Sequence, residues 1–287
     1  MQLDLFEHSR DVMLRNEAID AARAYSSSAL TSAIKMLASD CAGDPLLPAF
    51  DKLYERLSVP VAPRLARASA LEILRSTEDT VTAAQRVFGN MAGAWLAPLW
   101  AELAVAIADL PFDPSCETLH AAPLLLRAEN WTEGNASVET IPSWRRQPAP
   151  LVWKVEAECR ISGLSAAWHL LAELSWMDPP RAATLAARLE DSELNGLLRH
   201  FDAEFEGDGE PEDFAWFPAW VLIAESRWAA AMRLAQPGAN TPAERCAWQV
   251  LNLLALERQG RHAEIIEGRR KLRDTHRLLF DLYMRSR

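Results

Sequence analysis

The sequence predicts an all-α fold of short antiparallel helix pairs, stacked as a solenoid or gathered into an irregular bundle. Three observations carry that expectation. Ala and Leu, the strongest helix formers among apolar residues, are abundant throughout. Apolar residues recur at spacings near three and four along most of the chain. Eleven Gly against 17 Pro, with only three Tyr, leave little material for the Gly-rich turns and aromatic or β-branched strands of an all-β fold.

The elements follow in order. Val12, Met13, Ile19, Ala22 and Tyr25 mark one apolar face of a first helix. Similar periodicity predicts helices near 30–41, 46–57, 64–75, 80–92, 95–109 and 117–128. Later ones are expected near 150–160, 164–176, 179–189, 192–205, 214–235, 243–259 and 262–284. Many end near Pro or Gly, which do not continue a helix comfortably. The most apolar stretch, 87–108, is interrupted by Glu102. It is short for a membrane span and reads as a buried core helix. Two segments break the pattern. Residues 141–150 hold three Pro and read as a fixed-shape connector. Residues 202–213 hold seven acidic side chains, two Gly and one Pro, and read as an exposed acidic loop. The expected organisation is a single helical domain over 1–287, with halves 1–141 and 151–287 meeting at the Pro-rich connector.

A repeat test favours stacked pairs. Ala21, Ala33, Leu37 and Pro45 fall at the small, apolar and closing positions of a 34-residue helix–turn–helix repeat. Ala167, Leu171, Leu174 and Pro179 fall in the same register. A third window runs from Trp248 through the Gly260 turn to Ala263. These windows resemble degenerate tetratricopeptide repeats over about 100 of the 287 residues. The resemblance implies a right-handed solenoid that serves as a protein-interaction scaffold. A single helix pair cannot bury its apolar face, so neighbours must stack.

Composition bounds the function. With 49% hydrophobic and 24% charged residues, the chain has the balance of a soluble globular protein. The net charge of −10 is the wrong sign for a whole-surface nucleic-acid binder, so direct nucleic-acid contact is not expected. From Arg258 to Arg287, nine Lys and Arg outnumber four Asp and Glu, and the rest of the chain carries the balance of −15. A solvated last helical segment accounts for that basic tail. Cys41, Cys116, Cys159 and Cys246 are scattered, with no C-x-x-C pair, and read as small packing residues in a reducing compartment. Neither a basic, apolar leader nor a membrane span is evident, so a cytoplasmic location is expected. No G-x-S-x-G, P-loop, G-x-G-x-x-G or H-E-x-x-H occurs, so no catalytic residue, cofactor or metal is assigned. His120 and His169 lack a second ligand pair and read as structural.

The N-terminal run Gln2-Leu3-Asp4-Leu5-Phe6 carries the sharpest signal. All five positions match the consensus by which bacterial replication and repair proteins dock on the DNA polymerase sliding clamp, which this run resembles. The resemblance implies that Gln2 hydrogen-bonds at one end of a surface pocket and Leu3 adds a shallow apolar contact. Leu5 and Phe6 would fill the deep pocket as paired anchors. The competing reading packs Leu3, Leu5 and Phe6 onto the first helix as a cap, in a helical-repeat protein with no link to DNA.

Two further constellations are candidates. Trp131, Trp144, Arg145 and Arg146 join aromatic rings and cations in predicted connectors, a combination that lines a groove for an acidic peptide or nucleic acid. The remaining Trp mostly fall in helical text and read as core. Counting Asp202 as the first position, Glu204, Glu206, Gly207 and Asp213 space like a calcium loop. Glu at the third and fifth positions, Asp at the twelfth and the intervening Pro211 depart from that pattern. A solvated acidic loop is the better reading.

Overall fold

A computed structural model of the chain describes residues 10–207 and 209–287. All regular structure among the described residues is helical. The chain divides into two compact units, one running to Gly134 and the other from Asn135 to Arg287.

In the first unit, α1 (Arg10–Arg23) and α2 (Ser27–Asp40) form a helix pair around the positive-φ residue Tyr25. The Ser26 hydroxyl accepts the Ala29 N–H at 3.3 Å and starts α2. Ala21, Ala33 and Leu37, the three apolar positions of the first repeat window, are all buried in this pair. Arg10 pairs with Asp40 and Arg15 with Asp44, tying α1 to the end of α2. Next come α3 (Leu47–Leu57), α4 (Arg67–Phe88), α5 (Ala92–Ala106) and α6 (Ala121–Arg127). The α1–α2 turn is fastened to α5. Trp95 Nε1 donates to Ala22 O at 2.8 Å, and Tyr25 Oη donates to Trp95 O at 2.6 Å. The Tyr25 and Phe88 rings stack on the Trp95 ring.

Two helices were expected over 64–75 and 80–92, whereas one 22-residue helix, α4, crosses the gap. Thr77 and Thr80 lie at this gap. Both hydroxyls donate back to their own helix, Thr77 to Ile73 O at 2.8 Å and Thr80 to Ser76 O at 2.7 Å. Their polarity is thereby satisfied inside the core, so the helix continues.

The unit boundary falls within α7 (Trp131–Glu139). The Pro-rich segment 141–150 therefore lies wholly in the second unit. Pro142 stands in a turn, while Pro148 and Pro150 occupy the first turn of α8 (Pro148–Ser162). There the missing N–H has no helical partner to lose.

In the second unit, α8 pairs with α9 (Leu164–Met177) across Gly163, whose φ of +83° suits glycine. Asp178 caps α10 (Pro179–Arg188), and Asp191 caps α11 (Ser192–Glu204). The expected helix over 214–235 is broken. A 3-10 turn, Pro211–Trp216, leads into α12 (Phe217–Ala224), and a second, Ser226–Trp228, leads into α13 (Ala229–Met232). Pro218 is tolerated only where a helix begins, and Glu225 leaves helical geometry at φ −135°, ψ 85°. The Glu225 carboxylate then accepts from Arg227 and from Trp228 Nε1, which fixes the turn. Thr241 caps α14 (Pro242–Gln259), which pairs with α15 (His262–Thr275). The expected run 262–284 splits at His276, whose Nδ1 accepts the Leu279 N–H at 3.2 Å and starts α16 (Arg277–Arg285). The core of this unit is aromatic, with Trp168, Phe217 and Trp220 fully buried. Trp168 lies against Trp228 at a ring distance of 4.7 Å.

Candidate functional site

Gln2, Leu3, Asp4, Leu5 and Phe6 lie outside the described residues. The described chain starts with α1 at Arg10, so Glu7, His8 and Ser9 separate Phe6 from that helix in sequence.

Of the four candidate groove residues, Trp131 belongs to the first unit, where it opens α7 half-buried. Trp144, Arg145 and Arg146 share one 3-10 turn in the second. Trp144 packs against the core of its unit, with Lys154 Nζ 5.4 Å from the ring centre. Arg145 grips Glu173 on α9 with two parallel bonds, Nε to Oε2 at 2.7 Å and Nη2 to Oε1 at 2.5 Å. Its Nη2 also donates to Leu234 O at 3.1 Å. Glu173 Oε1 accepts in addition from the Gln236 N–H at 2.6 Å. Arg146 donates to Pro237 O at 3.0 Å and lies over Gly238, where a Cβ would overlap its guanidinium. Glu244 closes the arrangement by accepting from the Gly238 N–H at 2.8 Å and from the Asn240 N–H. The two arginines and two buried carboxylates thus form an internal clasp on the 234–240 loop. The bonds they make here are intramolecular, and Arg145 meets a full countercharge on Glu173.

Buried His120 and half-buried His276 serve as helix caps. His120 Nδ1 accepts the Ala122 N–H at 3.2 Å and caps α6, as His276 caps α16. Burial pushes the His120, His169 and His276 imidazoles below the ordinary histidine value. At His169 the nearby Arg145 adds to the effect, while at His276 Asp213 opposes it.

The calcium-like spacing does not fold into one loop. Asp202 and Glu204 stand on the last turn of α11, and Asp213 lies in a 3-10 turn. Asp213 Oδ2 accepts the Gly209 N–H at 2.8 Å. Among the described residues no group of three His, Cys, Asp or Glu is placed to hold a metal. The four cysteines are free, and burial pushes the Cys246 thiol up to about 12. The basic tail is largely matched locally. Arg269 pairs with Glu257, Lys271 with Glu267, Arg273 with Asp274 and Arg277 with Asp281, all within 3.7 Å. No helix among the described residues is long and apolar enough to cross a membrane.

One feature of the second unit was missed in the sequence. An open groove of about 1090 Å³ lies among the end of α11, one face of α12 and one face of α16. Its walls come from three segments about 80 residues apart at most, so only the acidic run near 204–206 hinted at it. Comparison of the chain with protein-family models, with curated proteins and with solved structures finds no match.

Proposed function

We propose that the chain is a protein–protein interaction adaptor. It docks on the bacterial DNA polymerase sliding clamp through Gln2–Phe6, and its helical body presents a second partner to replicating or repaired DNA. The single observation behind the docking half is the five-residue match, Gln2, Leu3, Asp4, Leu5 and Phe6. Glu7, His8 and Ser9 separate the motif from α1 in sequence, and a five-residue linear motif can dock by itself. Support for the scaffold half comes from the consecutive helix pairs of each unit. On this reading the protein works in the cytoplasm, beside the clamp.

The energetics are those of a short motif. Full burial of Leu5 and Phe6 is worth about 3–6 kcal/mol before ordering costs, which places the isolated motif at about tens of micromolar at best and millimolar at weakest. A labelled peptide of residues 1–9 tests the docking half directly. Saturable clamp binding that a Leu5→Ala, Phe6→Ala peptide loses supports it. No binding at concentrations up to several millimolar removes it, and leaves a helical-repeat protein without a DNA link.

A further inference from the structure

The groove between α11, α12 and α16 has a chemistry that selects its occupant. Its floor is apolar. Trp220 and Ile223 on α12 and Leu278 and Leu282 on α16 line it, and Met284, 40% exposed, stands at its edge. Leu278 and Leu282 are one helical turn apart on α16, and Trp220 and Ile223 share a face of α12. Leu278, Leu282 and Met284 therefore supply the accessible apolar relief, while Trp220 and Ile223, 2% and 4% exposed, close the floor beneath them. Two turns of helix fill on the order of 1000 Å³, comparable with the groove's volume of about 1090 Å³.

The rim is negative. Glu204, Glu206 and Asp281 line it, with Arg285 the one cation among the lining residues. Asp281 is paired with Arg277 at 3.1 Å, whereas Glu204 and Glu206 are exposed and have no ion pair among the described residues. Their position compounds the charge. Asp202 and Glu204 occupy the last turn of α11, which carries no basic residue. Helix carbonyls already make that end negative, so two anions there are unfavourable until a cation approaches. Exposed Glu210 and Glu212 continue the acidic run along the chain.

The geometry points to a docking site for a basic amphipathic helix of a partner protein. Its apolar stripe lies on Leu278, Leu282 and Met284, and its Lys or Arg flank faces Glu204 and Glu206. This identifies the second partner's chemistry and rests on the scaffold half of the proposed function, not on the clamp motif.

The test uses the full chain and a labelled 18-residue helical peptide with Leu at i, i+3, i+4 and i+7 and Lys and Arg elsewhere. A second peptide keeps the Leu stripe and replaces every cation by Glu. The basic peptide is expected to bind saturably, at least about tenfold tighter than the acidic one at low salt, with the difference shrinking as salt rises. Glu204→Lys with Glu206→Lys should weaken it about tenfold or more, and Met284→Asp should do likewise. Circular dichroism confirms that each variant is folded. Glu17→Lys with Glu72→Lys makes the same charge change on the first unit and should leave binding unchanged. Equal binding of both peptides, no binding, or equal loss from both charge-reversed variants overturns the proposal. So does a chain that elutes as a dimer and becomes monomeric on Met284→Asp, because the groove then holds a second copy. Every groove variant should still bind the clamp, which separates failure of this site from failure of the N-terminal motif.

Discussion

Glu173 is 3% exposed and accepts three hydrogen bonds, two from the Arg145 guanidinium and one from the Gln236 backbone. Removing one member of such a pair strands the other charge in a poorly solvated place. Glu173→Gln is therefore expected to lower stability by about 3–5 kcal/mol, near the low end because Arg145 keeps some water contact. Arg146→Ala loses one exposed bond to Pro237 and should cost about 1 kcal/mol. Urea unfolding at constant slope reads both, and equal costs would contradict the clasp. Histidine chemistry gives a second residue-scale prediction. The His120, His169 and His276 imidazoles are all held below their ordinary value of 6.5, first by burial. The folded state thus binds fewer protons than the unfolded one in mildly acidic solution. The stability these groups contribute is complete above pH 6.5 and is lost as pH falls through 6.5 towards the lowered folded values. Protonation also removes the acceptor lone pairs that cap α6 and α16. The melting temperature should fall between pH 7.5 and 5.5, and His120→Asn with His276→Asn, which keeps capping oxygens, should flatten that slope. An unchanged slope in the double variant would contradict the capping role.

At the scale of elements, local chemistry set most helix starts and stops. Ser26, Asp178, Asp191 and Thr241 each accept a backbone N–H in the first turn of the helix that follows. Gly260 ends α14 at φ +69°, with its own N–H on Glu257 O and the Arg261 N–H on Leu256 O. That double bond is the glycine C-terminal motif, and the left-handed conformation disfavours any Cβ. Gly260→Ala should cost about 1–2 kcal/mol, measured as a lower urea midpoint. A neutral effect would mean that the turn is not held as described. Such caps and glycines are local, which is why the helix pairs were legible in the sequence. Long-range partners are not. Thr77, in the middle of α4, also accepts from Arg56 Nε at 2.8 Å, 21 residues away. The clasp role of Arg145 and Arg146 depends on Glu173 and on a loop about 90 residues downstream. Periodicity and spacing carry no trace of either pairing. The groove is harder still, because its three walls come together only in the folded second unit.

At the scale of the whole molecule, each of the two units has its own core, one built around Trp95 and Trp100, the other around Trp168 and Trp220. Consecutive helix pairs give each unit the means to display surfaces. On the proposed readings, the N-terminal motif and the acidic groove draw on different partner chemistry, so one chain would bridge two proteins. In the proposed function, Gln2–Phe6 would join this helical body to the sliding clamp. A pull-down of clamp by the full native chain, beside its Leu5→Ala, Phe6→Ala variant with folding checked by circular dichroism, tests it most directly. Clamp should be bound by the native chain and lost from the folded variant. Clamp absent from both lanes, or bound equally in both, would contradict it.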